Sequence, residues 1–139
     1  MPVASYVKVT AANEDLAEGI NAGTDQWAIA LSASAPASKS FVAGTTDLAT
    51  AGGYTAGGAN VSTTSAGMNG SDYVLVLADP PAWTATGGGF TFRYALVVNK
   101  TNNITIGYWD YGSSQAVAAG EQVVVDLDQT ATVGVFKIT

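Results

Sequence analysis

The chain contains no cysteine and no histidine. Without cysteine there is no disulfide framework and no thiolate to serve as nucleophile or metal ligand. Without histidine the commonest general base and the commonest metal ligand are both missing. A zinc site would need carboxylates alone, although zinc usually takes nitrogen and sulfur donors. Charge is scarce: charged residues are 12% of the 139 positions, against about 25% in an average soluble domain. The five cations, Lys8, Lys39, Arg93, Lys100 and Lys137, form no patch, and the net charge is −6. With a pI near 4.1, the chain has no basic face to neutralise phosphates, so nucleic acid is not expected as a partner. No apolar run approaches the ~20 residues of a spanning helix, so no membrane partner is expected. Met1-Pro2-Val3-Ala4-Ser5 lacks the charged start and apolar core of a signal peptide.

What is present is Ala, Gly, Ser, Thr and Val. Abundant Gly and β-branched residues at low charge point to an all-β chain with many turns. The length suits one domain with a real core. The low charge suggests a surface partly covered by other subunits.

Taken in order, Ser5 to Thr10 reads as a short strand. Residues 12–23 read as the one helix. Asn13 is the expected N-cap, Glu14 and Asp15 lie in the first turn, Leu16 and Ile20 share a face, and Gly23 is the stop. Glu14, Asp15 and Glu18 are expected to be a solvated face rather than a metal or acid–base cluster. Thr24 to Ser34 is a strand with Trp27, Ile29 and Leu31 on one face. Residues 39–59 read as a loop centred on Gly52-Gly53-Tyr54-Thr55-Ala56-Gly57-Gly58. It lacks the strand–helix context and the lysine of a phosphate loop, so Tyr54 is expected to pack down onto the sheet. Val61 to Ser65, rich in Ser and Thr, is expected at a sheet edge or subunit contact, with a turn over Gly67 to Ser71. Further strands are Asp72 to Ala78, closed by Pro80 and Pro81, Trp83 to Thr86, Glu121 to Asp128 and residues 132–138. Gln115 to Gly120 reads as a turn.

The strongest signal is a hairpin. Phe90, Phe92, Tyr94, Leu96 and Val98 alternate with Thr91, Arg93, Ala95, Val97 and Asn99, as the two faces of a strand require. Lys100-Thr101-Asn102-Asn103 turns the chain, and Ile104 to Tyr111 alternates again. With Asn99 opposite Ile104, the register sets Tyr94 against Trp109 and Arg93 against Asp110. The only Arg thus meets a carboxylate, a cross-strand ion pair expected to be structural rather than catalytic. In total, eight or nine strands and one short N-terminal helix predict a single-domain β-sandwich or jelly roll. Residues 1–23 form its N-terminal strand and helix, and residues 24–139 its body.

No catalytic constellation emerges, and neither enzyme activity nor a cofactor is expected. Asp126 and Asp128 share a strand face near Asp110, but the calcium-loop pattern is absent and no metal is expected. Paired carboxylates also serve glycoside hydrolysis, with Trp27, Trp83 and Trp109 as sugar platforms, yet these aromatics alternate as core residues do. Asn60, Asn69, Asn99 and Asn103 fall in glycosylation-type triplets and read as coincidence in a chain so rich in Ser and Thr.

Several segments, in order, resemble small structural proteins of tailed-bacteriophage particles. They are Asp25-Gln26-Trp27-Ala28-Ile29-Ala30-Leu31-Ser32 with Ala35-Pro36, the loop Gly52 to Gly58, Trp83-Thr84-Ala85, Phe92 to Asn99, and Ile106-Gly107-Tyr108-Trp109-Asp110-Tyr111-Gly112. The resemblance implies a virion protein without catalysis, a capsid decoration or cement protein. Such proteins are small, β-rich and often homotrimeric, and bind the major capsid protein at three-fold or quasi-three-fold sites. Trp27, Tyr54, Trp83, Tyr94 and Trp109 would then be core or interface aromatics. Residues 1–23 match least and would form a capsid-facing arm. The alternatives are a carbohydrate-binding or adaptor module of a tail fibre or tail tip, or a tail-tube or head-completion component.

Overall fold

The computed structural model describes residues 4–138, without the side chains of residues 16–18. The chain is all-β, with ten strands among the described residues. They are β1 (Ser5–Lys8), β2 (Trp27–Ser32), β3 (Ala59–Val61), β4 (Thr63–Asn69), β5 (Asp72–Leu77), β6 (Trp83–Thr84), β7 (Phe90–Asn99), β8 (Ile104–Val117), β9 (Gln122–Val123) and β10 (Phe136–Ile138). A five-stranded sheet runs β1-β8-β7-β2-β3, a three-stranded sheet β10-β5-β4, and a two-stranded ribbon β6-β9. All pairings are antiparallel.

One core joins these layers. Trp27, Ile29 and Leu31 of β2, with Val97 and Ile106, meet Leu75 and Leu77 of β5, Trp83 and Val123 of the ribbon, and Val125, Leu127 and Val135. Fully burying one such side chain is worth ~1.5–3 kcal/mol, so the facing sheets are held mainly by this contact. All six residues of β2 are buried, because its second face is covered too. There Ala30, Leu96 and Val98 pack with Phe41, flanked by Tyr94 and Tyr108.

The central hairpin departs from simple alternation. Asn99 pairs with Ile104 as expected, but the register shifts between Val97 and Val98, and Tyr94 comes to face Asp110 rather than Trp109. Trp109 faces Ala95. A second irregularity sets Arg93 against residues 111–114, since Phe92 pairs with Gln115. A bulge inverts the facing of the residues beyond it. Phe90 and Phe92 therefore join the main core, while Tyr94, Leu96 and Val98 line the outer one. The expected single face is split between two cores.

Other boundaries also move. β8 continues to Val117, past the expected turn start at Gln115, because its far end still pairs with Phe90–Phe92. β4 likewise runs to Asn69, leaving only Gly70 and Ser71 in its turn. Glu121 to Asp128 forms a ladder only at Gln122–Val123. Val125 and Leu127 are still buried beside exposed neighbours, but the Leu127 amide donates to Asp79 Oδ1 at 2.7 Å instead of to a strand. There the alternation records burial without strand pairing.

The helix α1 (Asn13–Glu18) is shorter than expected. Asn13 is already helical and caps nothing, because a 3-10 turn, Thr10–Ala12, leads straight into the helix. It stops at Gly19, whose amide donates to Asp15 O. Gly23 lies beyond it, and the side chain of Leu16 is outside the described residues. β1 pairs with β8 from Ser5↔Asp110 to Lys8↔Gly107, and Ala12 is fully buried in the main core. β1 and Ala12 thus share the sheet and the core of the residues beyond 23.

Candidate functional site

Arg93 and Asp110 meet as expected. Arg93 Nε donates to Asp110 Oδ1 at 2.8 Å and the terminal guanidinium nitrogen to Oδ2 at 3.1 Å. The guanidinium also lies 5.3 Å from the centre of the Tyr94 ring, near enough for a cation–π contact. The hydrogen bonds from Arg93, then that from the Gly112 amide, hold the Asp110 carboxyl below its ordinary range. A fork on a carboxylate beside a bulge fixes the local chain path. No cavity opens on it that would admit a substrate among those described.

The five aromatics separate by burial. Trp27 and Tyr54 are enclosed, Trp83 is 8% exposed, and Tyr94 and Trp109 are half-buried. The indole of Trp27 donates to Ala22 O at 3.0 Å. Tyr54, as expected, packs down from the glycine-rich loop. It does so through a partner that sequence reasoning missed, the buried carboxylate of Asp47. Asp47 accepts from the Tyr54 hydroxyl at 2.5 Å, the Gly57 amide at 2.7 Å and the Gly44 amide at 2.6 Å. The Tyr54 hydroxyl accepts from the Leu31 amide at 3.0 Å. Burial, with the Asp47 bond second, pushes the Tyr54 phenol upward. This latch holds the loop to the five-stranded sheet. Gly58, at φ +73°, passes so close to β2 that any Cβ would strike Ile29 O. The only sequence signal for Asp47 was a lone acid in a loop almost free of charge.

Asp126 and Asp128 do not form a metal centre with Asp110. Among the described residues no group of three or more His, Cys, Asp or Glu could hold a metal ion. Asp128 accepts from the Thr130 hydroxyl and amide, which lower its carboxyl. Both acids line a cleft of ≈530 Å³ between β1–β8 and β10, with Tyr6, Trp109 and Phe136. Tyr6 packs 5.2 Å from Trp109 and crosses β8 at Gly107, where any Cβ would strike its ring. Asp15 of the helix pairs with Lys39 at 2.6 Å.

The two lateral sides of the sandwich differ in chemistry. β1 and β10, the outer strands beside this cleft, each carry one lysine, Lys8 and Lys137. β3 and β4 are the outer strands on the other side, joined through Ser62. Residues 48–71, which include both, contain no Asp, Glu, Lys or Arg. β4 also has no proline, and Met68 on it is 67% exposed. The Ser- and Thr-rich strand expected at an edge is therefore an edge, longer than expected and reaching Asn69.

No helix among the described residues is long and apolar enough to cross a membrane. Comparison with protein-family models, with curated proteins and with solved structures finds no match.

Proposed function

We propose that the chain is a structural protein of a tailed-bacteriophage virion, a decoration or cement protein that binds the major capsid protein shell and stabilises it. The resemblance of its segments to such proteins suggests this role. The observation that carries it is a charge-free run that ends in an unpaired strand. All sixteen charged residues lie outside residues 48–71, which hold β3 and the outer strand β4. Monomers usually guard such edges with charge, proline or a cover, so an unguarded one suits a protein that works in an assembly. The remaining acidic surface suits the outside of a shell packed with nucleic acid.

The test is reconstitution. Purified protein is added to particles assembled without it, followed by co-sedimentation and a thermal rupture assay. Saturable binding and a higher rupture temperature are expected. Failure to co-sediment at any protein excess overturns the reading.

A second reading, a carbohydrate-binding or adaptor module of a tail fibre or tip, is favoured by the cleft between Trp109, Tyr6 and the two acids. Aromatic faces beside hydrogen-bonding groups suit sugars. The near-complete burial of Trp83 and Trp27 removes two of its three expected platforms. Titration with mono- and disaccharides, followed by Trp109 fluorescence, separates the readings. A saturable change lost in Asp126→Ala supports the second, and no change removes it.

A further inference from the structure

We propose that β4 pairs with β4 of a second copy, antiparallel across a two-fold axis, making one six-stranded sheet from two three-stranded ones. This deepens the reading of the uncharged side as an assembly surface and rests on it.

The backbone dictates what kind of partner fits. β4 and β5 are joined by the two-residue turn Gly70–Ser71, with Asn69 opposite Asp72. Gly70 is at φ +62°, as the first position of such a hairpin turn requires. Residues flanking a two-residue turn form a hydrogen-bonded pair, and hydrogen-bonded and non-hydrogen-bonded pairs then alternate. Asn69, Gly67 and Ser65 therefore direct their amides and carbonyls toward β5. Met68 and Ala66 direct theirs away from it. Among the described residues no backbone group of Thr63–Asn69 hydrogen-bonds to backbone outside the β4–β5 ladder. An unpaired ladder of this kind is completed by another extended strand.

The side chains favour a second copy. The ladder is irregular between Thr63 and Ser65, so the regular part is Ser65–Asn69. Paired about its midpoint, Gly67 faces its own copy, where the missing side chains allow close approach. Ala66 then faces the copy's Met68, and Met68 its Ala66, so all four outward-facing residues exchange amide–carbonyl bonds. Met68, the most exposed of the large apolar side chains, comes to lie over an alanine. With no charge on residues 48–71, no like charges are brought together despite the net −6. A contact that matches itself is what a two-fold interface demands.

Sedimentation velocity over a hundredfold concentration range, with hydrogen exchange on the full chain, tests this. A monomer–dimer equilibrium is expected. At high concentration the Ala66 and Met68 amides are protected, and on dilution they exchange fast while Gly67 stays slow. Met68→Lys places like charges across the axis and should weaken the dimer at least tenfold. Ala66→Pro removes one outward amide and should do the same. Should the proline variant misfold by circular dichroism, Met68→Lys decides alone. A monomer at all concentrations, a trimer, or a dimer indifferent to Met68→Lys overturns the pairing. The virion reading fails separately. A monomer that binds particles sinks only the pairing, and a dimer that does not bind them sinks only the virion role.

Discussion

The two sides of the sandwich solve the same problem in opposite ways. Every open sheet leaves unpaired strands at its margins, and unpaired strands recruit others. On the β1–β10 side the exposed strands are four and three residues long, and each carries a lysine. On the other side, β3 is short and its last carbonyl, that of Val61, is taken by the Gln26 side chain at 3.1 Å. β4, seven residues long and the longest of the four, has no charge and no proline, and among the described residues its backbone bonds to no strand but β5. Among the four margins of the two larger sheets β4 is the exception, and the proposed pairing puts a second copy there.

The contrast can be broken most forcefully at the latch behind the uncharged side. Asp47→Ala removes the acceptor for the Gly44 and Gly57 amides and for the Tyr54 hydroxyl. Hydrogen bonds to a charged group are worth ~1.5–3 kcal/mol each and are not additive, so a loss of about 3 kcal/mol is expected. The urea midpoint should fall, with β3 amides exchanging first. Gly58→Ala forces a Cβ into the Ile29 carbonyl from a left-handed backbone. A strained position of that kind costs ~1–3 kcal/mol, and about 2 kcal/mol is expected in the same measurement. An unchanged midpoint in both variants would mean that the loop does not hold β3 in place.

A gentler change uses pH at the hairpin's ion pair. Asp110 is held below its ordinary range in the folded chain, so its contribution is complete above the unfolded value of ~3.9. It is lost as pH falls through the lower folded value. The stability gap between wild type and Asp110→Asn should therefore close on acidification from about pH 5, as read by thermal unfolding. A gap independent of pH would show that the pair contributes nothing through charge. The smallest effect is expected from Lys8→Thr with Lys137→Thr, which strips the guarded side. Weak concentration-dependent association should appear by light scattering, while stability stays nearly unchanged.

The sequence made much of this legible through period and punctuation. The Trp27–Leu31 face, the hairpin turn at residues 100–103 and the Arg93–Asp110 pair all follow from alternation and chemistry over short distances. What it concealed were changes in count. The irregularity at Arg93 turns a single aromatic stripe into two, the one near Val97 slips the register along β8, and nothing in Phe90 to Val98 marks where the pleat reverses. The segment after Val123 alternates convincingly yet forms almost no ladder, because period two follows burial whether or not a neighbouring strand exists. Asp47 was missed because a buried carboxylate is defined by the amides that converge on it, and these come from positions three and ten residues away.

The pairing of β1 with β8 also sets an order of events during synthesis. Ser5 is made early, but its partner Asp110 emerges more than a hundred residues later. β2, buried on every residue, waits for β7 across a shorter gap, from Ser32↔Tyr94 to Trp27↔Asn99. Contacts so distant along the chain must close long loops before they are rewarded, which slows folding. The apolar run Trp27–Ser32 is thus exposed on the nascent chain until the hairpin is complete. The local pairings, the β4–β5 and β7–β8 hairpins, close the shortest loops, and the strands that span the chain add the slow ones.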